Sequence, residues 1–136
     1  MTQEERNLLV KDLCARFPYG VIAKKEYTFV FTNGTISKSK EIEKIDLEDI
    51  EYLINGDDCI DVLKPYLRPM SSMTEEEKEE LVFKHIKLVF EDKDYNPETV
   101  AVDIDGFDWL NAHHFDYRGL IPKGLALEAP EGMYNN

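Results

Sequence analysis

The sequence predicts an α+β fold, in which an N-terminal helix and C-terminal helices pack on a small, mainly antiparallel sheet. Capped stretches with apolar residues at helical spacing lie near both ends of the chain. Between them, two runs rich in β-branched and aromatic residues flank Asn33-Gly34, a dipeptide typical of hairpin turns. A length of 136 residues fits one domain, so we expect 1–136 to form a single globular unit.

The first element is a predicted helix over 3–16. Thr2 and Glu5 have the spacing of a capping box, in which a hydroxyl and a carboxylate satisfy free backbone N–H groups. Pro18 disfavours helical geometry at Phe17, so we expect the helix to end there.

The next segment predicts β structure, with strands near 20–24, 27–32 and 35–40. The last two strands flank the Asn33-Gly34 turn and form a tight hairpin. Three aromatic residues alternate along the middle strand and share one of its faces: Tyr27, Phe29 and Phe31.

Residues 46–55 fit two different elements. In a helix, Asp46 would be the N-cap and Gly56 the stop. In a strand, apolar residues would alternate from Ile50 to Ile54. We favour the strand, because a lone hairpin gains stability from additional strands and the sheet would then occupy 20–62.

The clearest predicted helix runs from a cap at Thr74 to Phe90. Glu77 completes a capping box, and glutamates in the first turn suit the positive end of the helix dipole. His85 would lie in the middle of this helix with a structural role. The preceding segment, 63–73, contains two prolines and is predicted to be a rigid connector.

The charge distribution restricts the class of partner. The net charge is −12, with a balance of +3 over residues 1–40 and −15 over residues 41–136. A field of this sign repels phosphate backbones, so we expect no direct nucleic-acid binding. A protein partner would be basic if the acidic surface were used. The charges leave the oligomeric state open.

Neither a membrane nor an oxidising compartment is indicated. Apolar runs are far shorter than the roughly 18–20 residues of a membrane span, and the N-terminus is unlike a signal peptide. Cys14 and Cys59 have no zinc-site or redox spacing, so we expect them to be reduced and buried. These features predict a cytoplasmic protein with no metal and no cofactor.

The stretch 102–119 holds the residues with the most chemical potential. Asp103 and Asp105 follow an apolar segment, as the paired carboxylates of haloacid-dehalogenase-like phosphatases do, but that family has Thr where this chain has Phe107. We therefore expect Asp105 to be the N-cap of a helix, with Asp108 at its third position.

Two adjacent histidines close this helix. His113 and His114 would point about 100° apart, whereas a metal pair on a helix needs a spacing of four residues. We expect both to support the fold. Arg118 is expected to bond helix-end carbonyls or to pair with Asp116, with anion binding as the alternative. His113, His114, Asp105 and Arg118 are the candidates if the chain has a catalytic site.

Three stretches carry a resemblance: "LCARFPYGV" (13–21), "LKPYLRPMSSMTEEE" (63–77) and "DWLNAHHFDYRGLIPKGLALEAPEGMY" (108–134). They resemble short uncharacterised proteins of gut Bacteroidales genomes, which often lie among prophage and other mobile-element genes. The resemblance covers about half of the chain. It implies no activity, cofactor or catalytic residue.

These observations predict a non-enzymatic accessory or protein-interaction domain of a phage or mobile element. One alternative is a small metal-dependent or acid/base enzyme that uses the 103–118 cluster, which requires those side chains to converge. A further alternative is an acidic decoy that mimics DNA. It requires the carboxylates of 41–108 to lie in two rows on one surface.

Overall fold

The computed structural model describes residues 1–56, 60–87, 101–102 and 104–134. The predicted α+β fold is confirmed: in these ranges, four α-helices accompany two sheets. The four-stranded sheet has the order β2 (Ile36–Lys44), β1 (Ile22–Val30), β3 (Ile60–Leu67) and β6 (Leu127–Glu128), and the two-stranded sheet pairs β4 (Ile86–Lys87) with β5 (Ala101–Val102). In the larger sheet, β1 is antiparallel to both β2 and β3, and β6 is parallel to β3.

Helix α1 (Gln3–Arg16) has the predicted bounds, and both hydrogen bonds of the Thr2–Glu5 capping box are present. The expected effect of Pro18 is wrong, because Phe17 keeps helical dihedral angles and opens a 3₁₀ turn. The chain instead leaves the helical path at Gly20, whose φ of 69° is readily available only to glycine.

Strands β1 (Ile22–Val30) and β2 (Ile36–Lys44) form the predicted hairpin, but the two runs before Asn33 are one continuous strand. The turn is also longer than expected, because Val30 pairs with Ile36 and leaves a loop of residues 31–35. Within it, the Asn33 side chain accepts from the backbone N–H of Thr35.

Helix α2 (Leu47–Asn55) corrects our preference for a strand over 46–55. Asp46 and Asp49 cap each other's backbone N–H groups, and Gly56 ends the helix with a φ of 70°. Ile50 and Leu53 are buried three residues apart. This reciprocal cap and the helical spacing of the buried residues outweigh the alternation that suggested a strand.

Strand β3 (Ile60–Leu67) overlaps much of the predicted connector and runs through Pro65. Its pairing with β1 includes a bulge, in which Asp61 is the extra residue between Ile60 and Val62. Beyond β3, a 3₁₀ turn leads to the cap at Thr74. Strand β6 (Leu127–Glu128) pairs with the end of β3.

Helix α3 (Glu75–His85) starts where predicted but is shorter, so His85 is its last residue rather than its middle. The chain continues as β4 (Ile86–Lys87), which pairs with β5 (Ala101–Val102). A tertiary pairing thus overrides the helical periodicity at Ile86. The end of the predicted helix, with Phe90, lies outside the described residues.

Helix α4 (Ile104–Ala112) begins before the predicted cap, so Asp105 lies inside its first turn instead of capping it, and Asp108 is its fifth residue. Asp103 lies outside the described residues. Turns follow α4 and lead to β6.

Two apolar clusters hold these elements together. The larger lies between α1, α2 and the inner face of the sheet, defined here as the face that carries Val21, Ala23 and Leu63. The smaller joins α3 to α4 through Leu81 and Trp109, and also includes Met73, Leu110 and Phe115.

The expectation of buried cysteines is wrong for Cys14, which is exposed on α1 with a free thiol. The buried positions of α1 are Leu9, Asp12, Leu13 and Arg16, so the apolar stripe bypasses Cys14. Cys59 lies outside the described residues.

Candidate functional site

The two candidate histidines close α4, where the backbone turns through a left-handed residue. The N–H of His114 donates to Asn111 O at 3.1 Å, and the N–H of Phe115 donates to Leu110 O at 3.0 Å. This is a Schellman cap, whose left-handed position is usually glycine. Here it is His114, with a φ of 63°. Such a conformation costs a non-glycine residue about 1–2 kcal/mol, so the side chain must be held by its surroundings.

Stacking and burial hold the His114 side chain. It is only 6% exposed, and its ring stacks on Tyr134 with the centroids 3.6 Å apart. The Tyr134 hydroxyl donates to Tyr66 O at 2.7 Å and accepts from the N–H of Ile22 at 2.9 Å, so it bridges β3 and β1 next to the Ala23–Pro65 pair. Nδ1 of His114 has no hydrogen-bond partner among the described residues.

Burial lowers the pKa of His114 from 6.5 to about 4, and the positive charges of Arg16, His113 and Arg68 act in the same direction. The imidazole is therefore neutral at pH 7. A neutral, buried ring explains how it can stack beside these cationic groups.

This pKa predicts that the protein loses stability as the pH falls from about 6.5 to about 4. In that window the unfolded chain binds a proton at His114 that the folded chain excludes. The Glu77 pKa is lowered to about 2, so its contribution is lost only below about pH 4.5. Urea unfolding at pH 7, 6 and 5 should show a smaller decline in the free energy of unfolding for His114→Asn, because the amide does not take up a proton in this range. Asn is chosen because it tolerates left-handed geometry. An unchanged decline in this variant would contradict the assignment.

His113 occupies different surroundings from its neighbour. Its ring lies 4.1 Å from that of Trp109, and its Nδ1 is 3.7 Å from Glu77 Oε2, too far for a hydrogen bond. Burial lowers the pKa of His113, against the opposing charge of Glu77. Glu77 is itself engaged by Arg68 through two hydrogen bonds of 2.7 and 2.8 Å. His113 therefore borders an existing ion pair.

Arg118 does not make either expected contact. Its Nη1 donates to Asp12 Oδ1 at 2.8 Å, while Asp116 accepts instead from the backbone N–H groups of Leu120 and Ile121. Asp12 also accepts from Arg16 Nε at 2.8 Å, and both of these side chains are fully buried. One carboxylate thus pairs with two guanidinium groups.

Arg16 extends this cluster to the other end of the chain. Its Nη2 donates to Phe115 O at 2.6 Å, and its guanidinium carbon lies 5.2 Å from the centre of the Tyr117 ring. Arg118 lies 4.7 Å from the same ring. The cluster therefore connects α1 to the segment after α4. The sequence does not indicate this contact, because the residues that make it are about a hundred positions apart.

The candidate residues do not converge on one cleft in the described structure. Asp105 is exposed in the first turn of α4, about 12 Å along the helix axis from His113. His114 is stacked and Arg118 is paired with Asp12. In the described ranges, no three His, Cys, Asp or Glu side chains are grouped so that they could hold a metal ion. These contacts instead connect α1, β3 and the end of α4 within the fold.

A second surface, on the β1–β2 hairpin, was not among the predicted sites. The last pair of β1 with β3 is Tyr27 with Ile60, whereas its pairing with β2 continues to Val30. We call residues 28–38, which lie beyond that pair, the hairpin tip. Its exposed apolar side chains are Phe29 at 45%, Val30 at 70%, Phe31 at 54% and Ile36 at 63%.

The sequence contains a signal for this exposed tip. Apolar residues occupy consecutive positions 29–31, so they point to both faces of the ribbon. A helix layer on one side can cover only alternate residues. An uninterrupted apolar run on a two-stranded ribbon therefore indicates exposed hydrophobic surface.

The sheet face opposite the inner face, here called the outer face, carries most of the lysines of the sheet. Strand register places Lys24 beside Lys64 on this face, and the same alternation places three lysines of β2 there: Lys38, Lys40 and Lys44. Two acidic side chains accompany them among the described residues. Glu26 pairs with Lys24 at 3.3 Å, and Asp61 accepts a hydrogen bond from the Thr28 hydroxyl. A groove of about 720 Å³ runs along this face between Thr28 and Lys40. This basic surface contrasts with the net charge of −12.

The described carboxylates of 41–108 are distributed over β2, α2, β3, α3 and α4. Within the described ranges, no helix has the length and apolar content needed to cross a bilayer. Comparison with family models, with curated proteins and with solved structures found no match to this chain.

Proposed function

We propose that the chain is a non-enzymatic protein-interaction domain that binds its partner through the hairpin tip. The observation that carries this proposal is the group of apolar side chains at the tip, with Val30 exposed at 70% and Ile36 at 63%. They form a directly opposed pair across the hairpin, so they make one contiguous patch. Contiguous exposed apolar patches mark interaction sites on soluble domains.

The position of the tip supports the same role. A two-stranded ribbon in water is marginally stable without additional packing. Beyond Tyr27, β1 no longer pairs with β3, and the tip keeps both faces accessible. A partner that covers Phe29 and Phe31 would supply the missing packing, and aromatic side chains are favoured at the centres of interfaces.

The resemblance to proteins encoded among prophage and mobile-element genes supports an accessory role within such an element. Binding another protein is an accessory role that an exposed apolar hairpin tip can serve. We therefore propose this setting together with the interaction role.

Site-specific photo-crosslinking in the native host tests the interaction role. A photoreactive residue at Val30 should form a discrete adduct with a partner protein. The matched control is Ile54, which is 63% exposed on α2, away from the tip. The adduct should disappear when Phe29 and Phe31 are both replaced by Ser. No adduct at Val30, or the same adduct at Ile54, would contradict the proposal.

A further inference from the structure

Strand β2 is an edge strand in the part of the chain that the structure describes. The sheet order places it outside β1, and eight of its nine residues are exposed, the exception being the half-exposed Ser37. Its backbone groups on the side away from β1 can therefore pair with a strand of another molecule.

The charges of β2 are sorted by face. Its outer-face positions are Ile36, Lys38, Lys40, Ile42 and Lys44. On the inner face, Glu41 and Glu43 follow two serines. One side of the strand is thus cationic and the other anionic, with a period of two residues.

This pattern disfavours pairing of β2 with the β2 of a second copy. When a two-fold axis pairs the β2 edges of two copies antiparallel, the outer faces of both copies lie on the same side of the combined sheet. Outer-face residues of one copy then lie opposite outer-face residues of the other, and the same holds for the inner face. Centred on Lys40 or Glu41, the pairing places that residue opposite its own copy. Centred on Ser39, it places Lys38 opposite Lys40. Like charges directly opposite each other destabilise a sheet, so the edge selects a different molecule.

We propose that β2 binds an extended segment of a partner protein as an additional antiparallel strand with the complementary charge pattern. Acidic residues of that segment lie opposite Lys38, Lys40 and Lys44, and basic residues lie opposite Glu41 and Glu43. An apolar residue covers Ile42, which is 59% exposed. The proposal rests on the interaction role of the chain and specifies the chemistry of the partner.

A peptide strand fits this edge better than a nucleic acid or a lipid surface. Side chains of a strand alternate between the two faces, as the charges of β2 do. A phosphate backbone or a layer of anionic headgroups has one sign, so it would meet Glu41 and Glu43 as well as the lysines. The net charge of −12 also repels polyanions at long range.

The test uses the full-length chain and a fluorescein-labelled peptide with the sequence Glu-Lys-Ile-Lys-Glu-Thr-Glu-Thr-Ile. Read from Lys44 back to Ile36, this peptide is the antiparallel complement of β2. We expect saturable binding that shifts the amide NMR signals of β2. The matched control is the peptide with every Glu and Lys exchanged, which should bind about tenfold more weakly or less.

A reciprocal variant distinguishes strand pairing from general attraction. The double substitution Lys38→Glu/Lys40→Glu changes exposed side chains, so the fold should persist, as circular dichroism will show. It should weaken binding of the first peptide about tenfold and strengthen binding of the exchanged peptide. Equal binding of both peptides by the unaltered chain would overturn the proposal. So would a double variant that still binds the first peptide more tightly than the exchanged peptide.

Three further outcomes would also overturn it. These are tighter binding of a single-stranded oligonucleotide than of the peptide, tighter binding of phosphatidylserine vesicles, and a dimer that Lys40→Glu alters. The Val30 crosslink separates this inference from the proposed function. An adduct at Val30 with no peptide binding at β2 would leave the interaction role intact and reject this partner chemistry. Peptide binding without that adduct would support the β2 site and reject the hairpin tip.

Discussion

Replacing Asp12 by Ala is expected to lower the free energy of unfolding by about 3–5 kcal/mol, because the substitution leaves the buried Arg16 guanidinium without its counter-ion. Asp12 and Arg16 are both fully buried, and Asp12 also pairs with Arg118. Chemical denaturation followed by circular dichroism measures the loss. In this variant the guanidinium groups of Arg16 and Arg118, which both pair with Asp12, would also lie near each other without the carboxylate between them.

Two variants make the Asp12 result specific. Asp12→Asn keeps the volume and removes the charge, so most of the loss should remain. Asp105→Ala changes an exposed carboxylate on α4 and should alter the free energy of unfolding by no more than about 0.5 kcal/mol. A loss below about 1 kcal/mol for Asp12→Ala would show that the buried cluster does not hold the fold.

Replacing Lys25 by Met is expected to lower the free energy of unfolding by a similar amount, about 3–5 kcal/mol. Lys25 Nζ lies 2.5 Å from Asp49 Oδ2, and the two side chains are only 2% and 3% exposed. Without the lysine, Asp49 is a buried carboxylate with no cation beside it. Urea denaturation at pH 7 measures the loss.

A double-mutant cycle assigns the Lys25 effect to the ion pair. Asp49→Asn keeps an oxygen that can cap α2 at Asp46 and removes the charge. The variant with both substitutions should be more stable than the sum of the single losses predicts. Lys24→Met, on the outer face, should cost no more than about 1 kcal/mol, because its pair with Glu26 is partly exposed. Strict additivity in the cycle would contradict this interpretation.

Local signals in the sequence were sufficient for α1 and for the β1–β2 hairpin. The Thr2–Glu5 cap and the Asn33-Gly34 turn depend on residues a few positions apart. The structure has the cap as predicted and places Asn33-Gly34 in the hairpin turn, although that turn is a longer loop of residues 31–35. For 46–55 the sequence supported two elements, and the reciprocal cap of Asp46 and Asp49 decides between them. Neighbouring residues thus define an element best where they bond to each other.

The candidate site was harder to predict, because its contacts join distant parts of the chain. Arg118 was expected to pair with Asp116, two residues away, yet its partner is Asp12, 106 positions earlier. Lys25 lies on a strand and carries a charge, so sequence alone favours exposure. It is buried because α2 brings Asp49 to it. No local pattern contains this information.

The same distant contacts have a consequence for the order of folding. Arg16 bonds to Phe115, Asp12 to Arg118, and Ile22 to Tyr134, with sequence separations of 99, 106 and 112 residues. Closing such long loops costs chain entropy before the contacts repay it, which slows folding. During synthesis, α1 and β1 leave the ribosome before Phe115, Arg118 and Tyr134 are made. The contacts of α1 and β1 with these residues form only after that later part of the chain has emerged.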